Sequence, residues 1–295
     1  MKRALVGMIC LTLSGGTLAA SIVDSKHNLG NIGGNTANRN YTDATQEVCV
    51  FCHTPHGGSA THNGEAVAPL WNKAVTTSTF QTYDSLGTSS LKGSVANVGS
   101  VSIACLSCHD GSQAMDVMIN QPDSGGYTAA GASLGGTWTA NGAVDAATGK
   151  MLTANPIPGV GTDLRNDHPI GIQYAGGLIS GTDHTNASNY RNPDFVAAAE
   201  VTINGNQIWY VPVPASNATT GLANSVSGSQ ISPVAGTRNK TDMALYTRSV
   251  ATIDSGRAQP YVECASCHDP HQANTATFLR IDNTGSAVCL ACHKK

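Results

Sequence analysis

Apolar residues along the chain come in short runs separated by polar, glycine-rich stretches, so the hydrophobic pattern predicts few regular elements. One run, Met115–Ile119, has the length of a single strand or a short helix. Two others, Val201–Ile203 and Gln207–Val211, flank Asn204-Gly205-Asn206, which is typical of a β-hairpin. Paired glycines such as Gly125-Gly126 mark turns. We therefore expect a loop-rich fold with few short helices and minor β-hairpins in the central region.

The longest apolar run, from Ala4 to Leu18, follows two basic residues and precedes two alanines. This order is typical of a secretory signal peptide, which we place at residues 1–20. Cys10, one of nine cysteines, would leave with it. No later run is apolar enough to span a bilayer. We expect an exported protein without a membrane span, located outside the cell or at its surface, or alternatively in the periplasm. The polar segment 21–41 predicts a flexible arm.

The remaining eight cysteines form four pairs, and each pair belongs to the same phrase, Cys-x-x-Cys-His. The spacing places the two thiols about one helical turn apart, so both can bond one edge of a haem while the histidine reaches its iron. We therefore expect four covalently bound haems c. The thioethers are assigned to Cys49, Cys52, Cys105, Cys108, Cys264, Cys267, Cys289 and Cys292, and the proximal iron ligands to His53, His109, His268 and His293.

Other sites also use Cys-x-x-Cys pairs, among them zinc knuckles, disulfides and thioredoxin-like dithiols. None of these requires a histidine directly after each pair, and a redox dithiol does not recur four times along one chain. Composition alone gives about 0.01 expected occurrences of the phrase. Four occurrences therefore favour haem attachment.

Aromatic residues make up 5% and charged residues 12% of the 295-residue chain, which also has 32 glycines. Large apolar side chains are too sparse for a large conventional core. We therefore expect a core built around the four haems and an apo chain that folds poorly. Loss of Lys2 and Arg3 with the signal peptide takes the formal charge from −3 to −5, which argues against nucleic acid and anionic membrane surfaces as partners.

The chain has an internal doubling. The first and third phrases continue to a further histidine, His56 or His271, and a separate histidine, His27 or His168, precedes each of them. An extended phrase followed by a plain one thus occurs twice, which indicates two degenerate two-haem units. We place the first unit at residues 21–120, a Gly/Ser/Thr-rich central region with a distal histidine at 121–259, and the second unit at 260–295.

Chain length limits what His56 and His271 can bind. Three residues of extended chain span at most about 11 Å, which is too short to pass around a porphyrin rim to its opposite face. Each of these histidines is therefore expected to serve a haem other than the one held by the preceding proximal ligand. Such a ligand would join two haems within a few residues and keep them close enough for electron tunnelling.

The distal iron ligands are predicted to be His27, His56, His168 and His271. With ten histidines in the chain, each of the four irons would have two imidazoles and be low spin. His62 and His184 lie outside the doubled pattern and are interpreted as surface histidines. Met115, Met118, Met151 and Met243 remain alternative axial ligands, with packing as their favoured role.

In these phrases, together with Ser25–Leu29 and Asp167–Gly171, the chain resembles the multihaem outer-surface cytochromes of metal-reducing bacteria. It is most similar to the tetrahaem filament-forming members. The resemblance implies bis-histidine haems in alternating parallel and T-shaped pairs. It also implies end-to-end polymerisation into extracellular filaments, in which His27 or His56 of one subunit completes a haem of the next. The implied partners are copies of the chain itself, redox-partner cytochromes and an extracellular electron acceptor.

Electron transfer in extracellular metal respiration is the function that these expectations favour, without a catalytic residue. A soluble periplasmic electron carrier is the alternative. A small-molecule reductase would need a haem with one open coordination position, which the surplus of histidines disfavours. A protein with purely structural haems would not exchange electrons rapidly.

Overall fold

The computed structural model describes residues 22–32, 39–123, 125–154, 158–167, 169–203, 205–213, 238–248, 258–273 and 275–294. The predicted signal peptide with Cys10, the tip residue Asn204 and the candidate ligand His168 lie outside these ranges.

Short elements joined by loops make up the described chain. The helices are α1 (Ser100–His109), α2 (Cys264–Cys267) and α3 (Ala287–Cys292), and a 3-10 turn covers Cys49–Phe51. The strands are β1 (Tyr41–Thr42), β2 (Ser59–His62), β3 (Glu65–Trp71), β4 (Val117–Asn120), β5 (Tyr127–Ser133), β6 (Trp138–Thr139), β7 (Ile172–Gln173), β8 (Ala199–Ile203), β9 (Asn206–Val211), β10 (Met243–Arg248) and β11 (Gln259–Val262). The predicted loop-rich architecture with few short helices is confirmed.

The predicted hairpin is present as β8 and β9, with Val201 opposite Ile208. It belongs to a five-stranded antiparallel sheet of order β7-β11-β10-β9-β8, which is larger than the predicted minor hairpins. Strand β10 begins with three consecutive buried residues, so it lacks the alternation that indicates a strand in sequence. Strand β11 ends just before Cys264, so the sheet leads directly into the third Cys-x-x-Cys-His phrase.

Buried apolar side chains form three separate clusters rather than one large core. The first surrounds Tyr174 and Trp209, the second lies between Trp71 and α1, and the third surrounds Phe51 and Met118. Cysteines of the four phrases lie at the edges of these clusters: Cys292 at the first, Cys52 and Cys264 at the second, and Cys52 and Cys108 at the third. Cysteine side chains therefore border each of the apolar clusters.

The N-terminal segment 22–32 differs from the flexible arm that its composition predicts. Asn28 and Leu29 are buried. The Asn28 side chain donates to the carbonyls of Val23 (2.6 Å) and Ile32 (2.9 Å), which closes the segment on itself. Within the described ranges, no helix has the length and hydropathy needed to cross a membrane.

Candidate functional site

All four phrases adopt a helical turn. The backbone N–H of His53, His268 and His293 donates to the carbonyl of the first cysteine of its own phrase at 2.8, 3.1 and 3.0 Å, respectively. The second phrase forms the C-terminal half of α1. The turn brings the two thiols of each phrase to one side. No disulfide joins the eight cysteines of the phrases.

Three of the four phrase histidines have Nδ1 bound to a backbone carbonyl. Nδ1 of His53 lies 2.8 Å from Pro69 O, that of His109 lies 2.7 Å from Pro158 O, and that of His268 lies 2.7 Å from Thr277 O. Such a bond fixes the tautomer with the proton on Nδ1 and leaves Nε2 available for a metal. This is the orientation expected of a proximal haem ligand.

Two of these acceptor carbonyls, those of Pro69 and Thr277, belong to a recurring three-residue segment, which we call the carbonyl bracket. In Pro69–Trp71 and Thr277–Leu279, the first residue accepts from the imidazole and the third pairs antiparallel with the phrase histidine. The middle residues, Leu70 and Phe278, have φ values of +52° and +60°. That conformation costs a bulky residue about 1–3 kcal/mol. Backbone pairing of each middle carbonyl with the residue after the histidine holds the bracket in place.

The fourth phrase has the same backbone pairing with a different side-chain arrangement. His293 pairs antiparallel with Phe195, and its ring packs on that side chain at 4.2 Å between centroids. The equivalent bracket carbonyl, Pro193 O, accepts a hydrogen bond from Lys294 Nζ at 3.2 Å. A bracket segment therefore pairs with the phrase histidine in the first, third and fourth phrases. In the fourth phrase, its first carbonyl accepts from Lys294 rather than from the imidazole.

Two pairs of histidine rings lie at a distance that suits a shared metal, with 15° between the ring planes in one pair and 76° in the other. The ring centroids of His53 and His271 are 6.0 Å apart, and those of His27 and His109 are 6.2 Å apart. A metal–imidazole bond is about 2 Å and the ring centre lies about 1 Å beyond the nitrogen, so two imidazoles on opposite sides of one metal have centres about 6 Å apart. The residues therefore fit a bis-histidine haem iron at both pairs.

The surroundings of His27 keep its imidazole neutral. Burial, and then the neighbouring His109, lower the pKa of His27 to about 4. Burial also lowers the pKa of His109. The His27 ring stacks on Phe278 with 4.2 Å between centroids and 6° between planes. A neutral ring held in one orientation has its nitrogen lone pair available for coordination.

His271 has a carboxylate partner. Its Nδ1 lies 3.3 Å from Asp269 Oδ1, and Asp269 Oδ2 lies 3.9 Å from Arg280 Nη1. The hydrogen bond with His271 is the main cause that lowers the pKa of Asp269 to about 2. The same bond raises the pKa of His271. Asp269 is therefore an anionic acceptor for the ring at neutral pH.

Thiols of successive phrases are neighbours. Burial and then the nearby Cys108 raise the pKa of Cys52 to about 12. A hydrogen bond with Cys264, together with burial, raises the pKa of Cys105. Burial and then the nearby Cys267 raise the pKa of Cys292 to about 12. The first phrase thus adjoins the second, the second adjoins the third, and the third adjoins the fourth.

The other candidate ligands within the described ranges lie in different surroundings. His56 is exposed, and no ring contact involves it within the described ranges. His62 has Nε2 3.1 Å from Asn63 Nδ2. His184 is 2% exposed and packs against Trp209 at 4.9 Å, so its interpretation as a surface histidine is wrong. The four methionines Met115, Met118, Met151 and Met243 are buried in the apolar clusters.

Sequence reasoning missed a buried lysine beside the first two phrases. Lys73 is 0% exposed, and its Nζ donates to the carbonyls of Met115 (3.0 Å) and Val117 (2.7 Å). Its charge acts to lower the thiol pKa of Cys52 and Cys108. A lysine in a polar, glycine-rich chain is ordinarily exposed, so nothing in its sequence neighbourhood indicates this burial.

A second buried charge cluster joins α1 to α2. Ser102 Oγ donates to Glu263 Oε2 at 2.5 Å and accepts from Cys264 N at 2.9 Å. Arg248 lies between Glu263 (3.1 Å) and Glu65 (2.7 Å). Desolvation outweighs the pull of Arg248 and raises the pKa of Glu263 to about 7. A side chain at Gly99 would meet Glu65 and Arg248 at under 3 Å, so glycine lets α1 begin beside this cluster.

Comparison with known proteins identifies one feature of the chain. A family model described as a doubled CXXCH motif matches residues 259–295, which contain the third and fourth phrases. No curated protein matches the chain. The doubled motif points to covalently bound haem c in a multihaem c-type cytochrome involved in electron transfer.

Proposed function

We propose that the chain holds four bis-histidine haems c and passes electrons between them as a subunit of an extracellular conductive filament in metal respiration. The proximal ligands are His53, His109, His268 and His293, and the distal ligands are His27, His56, His168 and His271. Each bound haem supplies a one-electron couple at its iron. The protein has no catalytic residue in this proposal, because every iron has two protein ligands.

The observation that carries this proposal is that two pairs of histidine rings lie close together. His53 and His271 come from opposite ends of the chain, and His27 and His109 come from separate segments. Both centroid separations match two imidazoles on one metal. The Nδ1–carbonyl bonds of His53 and His109 support the same assignment, because they leave Nε2 of each ring available to bind the iron.

The neighbouring thiols support electron transfer along the chain. Each thioether fixes one edge of a haem, so attachment points that adjoin one another bring those edges together. The contact between Cys105 and Cys264 joins the two predicted units.

Ligand substitution tests the bis-histidine assignment. In the haem-loaded protein, His271→Ala and His27→Ala are each expected to convert one low-spin haem to high spin, because the iron loses one of its two imidazoles. Absorption and electron paramagnetic resonance spectra of the ferric protein measure this change. His62→Ala is the matched control, since its ring contacts Asn63 rather than another imidazole.

A wild-type protein with a high-spin, five-coordinate haem would contradict the pure electron-transfer proposal and favour a reductase. Unchanged spectra in both His271→Ala and His27→Ala would contradict the ligand assignment itself.

His56 supports the filament part of the proposal. Its ring is exposed in a single subunit, whereas His27 lies against His109. Tyr127 and Leu70 are also exposed on this side, at 63% and 51%, and the Tyr127 ring lies against Gly57. An exposed imidazole next to exposed apolar side chains suits a contact with a second subunit. We therefore assign the ligand that crosses the subunit boundary to His56 rather than His27.

Electron micrographs of the purified protein test this assignment. The wild type and His62→Ala are expected to form filaments, and His56→Ala is expected to leave short particles with one high-spin haem per subunit. Filaments of His56→Ala would contradict the role of His56. A strictly monomeric wild type with every haem six-coordinate would contradict polymerisation and leave the soluble carrier.

A further inference from the structure

The candidate iron ligands differ in the group that accepts from Nδ1. His53, His109 and His268 each have a neutral backbone carbonyl as partner. His271 instead faces the Asp269 carboxylate at 3.3 Å. Asp269 Oδ1 also accepts from the backbone N–H of His271 at 3.0 Å, so ring and backbone of one residue hold the same oxygen.

Arg280 keeps the Asp269 carboxylate in place. Its guanidinium is 5% exposed and donates to Ala265 O at 3.0 and 2.8 Å and to Lys240 O at 2.9 Å. It lies 3.9 Å from the Asp269 oxygen that points away from the imidazole. The carboxylate thus lies between a buried cation and the His271 ring.

The corresponding residues in the first and second phrases make different hydrogen bonds. In the first extended phrase the residue after the proximal histidine is Thr54, whose hydroxyl donates to His56 O at 3.0 Å. In the second phrase it is Asp110, whose carboxylate accepts from Thr76 at 2.6 Å and Ser112 at 2.9 Å. Asp110 and Asp269 therefore share a position and a charge but differ in the group they bind.

We infer that Asp269 is a positioning residue that makes His271 a stronger electron donor and lowers the reduction potential of the haem shared by His53 and His271. The inference rests on the proposed ligand pair and deepens it. A carboxylate that accepts from Nδ1–H draws the proton away from the ring and increases the basicity of the coordinating nitrogen. A more basic axial ligand stabilises the ferric state relative to the ferrous state.

Another charge near this pair acts in the opposite direction. Lys73 influences Cys52 of the first phrase, and its positive charge favours the ferrous state. Three carbonyl oxygens surround its ammonium group at 2.7 to 3.4 Å and offset part of that charge. Lys73 is present in both the wild type and an Asp269 variant, so the difference between their midpoint potentials measures the effect of Asp269.

The test is a spectroelectrochemical titration of the haem-loaded protein and its Asp269→Asn variant. Asparagine keeps an acceptor oxygen of the same size but lacks the charge. We expect the midpoint potential of one haem to rise, with the other components unchanged and the low-spin spectrum and haem content retained. Asp269→Glu, which restores the charge on a longer arm, is expected to bring that midpoint back towards wild type.

Asp110→Asn is the matched control, because it removes a carboxylate at the same position after a proximal histidine. If Asp110→Asn raises one midpoint as much as Asp269→Asn does, loss of charge alone explains the shift and the inference is overturned. Unchanged or lowered midpoints in Asp269→Asn also overturn it. If the wild type is fully low spin, such a result leaves the proposed function intact, whereas a high-spin wild type contradicts the proposed function itself.

Discussion

At the residue scale, Asn72 joins the first phrase to the strand that follows the second. The side chain is 0% exposed and donates to Val50 O (2.7 Å) and Asn120 O (2.9 Å) while it accepts from Asn120 N (2.8 Å). Its backbone N–H donates to Cys52 O at 2.9 Å. One buried amide thus fixes the helical turn that carries Cys52 against β4.

Asn72→Ala is expected to lower the free energy of unfolding by about 2–4 kcal/mol, because it removes three hydrogen bonds and leaves buried backbone groups without partners. Denaturant titration of the haem-loaded protein measures the loss. Gln46→Ala, at an exposed position, is the control and is expected to change the stability by less than about 0.5 kcal/mol. Equal stability of the two variants would contradict the role given to Asn72.

At the element scale, α1 and α2 meet through the cluster of Ser102, Glu263 and Arg248 rather than through apolar packing alone. A carboxyl group whose pKa is raised by burial keeps its proton in the folded protein at a pH where the unfolded chain has lost it. Such a group favours the folded state most at low pH, and its contribution declines as the pH rises.

The stability contributed by Glu263 is therefore expected to fall between pH 4.5, its ordinary pKa, and about 7, its pKa in the folded chain. A shift of this size corresponds to on the order of 3 kcal/mol. Glu263→Gln has no titrating group at this position, so the difference in unfolding free energy from wild type should change across this window. A difference that is constant from pH 4.5 to 8 would contradict this account. Asp282→Asn, at the surface, is the control.

The elements predicted from sequence are those with a local signal. The hairpin of β8 and β9 follows from its Asn-Gly turn, and each helical turn follows from the Cys-x-x-Cys-His spacing. The carbonyl acceptors of the phrase histidines have no such signal, because Pro69 and Pro158 become acceptors only when the chain folds back on distant histidines. Likewise, spacing excludes His268 as the partner of His271, but it does not single out His53 from the other proximal ligands. Residue types were thus predictable, whereas their pairing depended on tertiary structure.

At the scale of the whole molecule, three small apolar clusters with thiols at their edges replace a single core. Cysteines of the phrases pack against each cluster, so a haem attached to them would extend the apolar packing. This distribution agrees with the low aromatic content of the chain, 5%, since the cofactor would supply the missing apolar surface.

A chain that carries no haem is therefore expected to be cleaved by a broad-specificity protease about tenfold faster or more than the loaded protein. Substitution of all eight phrase cysteines by alanine prepares such a chain. The comparison measures the decay of intact protein at equal protease concentration. Single-phrase variants such as Cys289→Ala with Cys292→Ala should lie between the two extremes. Equal decay rates would show that the clusters are stable without the cofactor.

The contact between His53 and His271 has a consequence for the order in which the molecule matures. A polypeptide is synthesised from its N-terminus, so the first phrase would obtain the second imidazole of the proposed ligand pair only when the chain has been extended to residue 271. In the proposed ligand pair, the part of the protein that is made first would thus be completed by one of the parts made last. Premature termination near the C-terminus therefore damages the beginning of the molecule as well as its end.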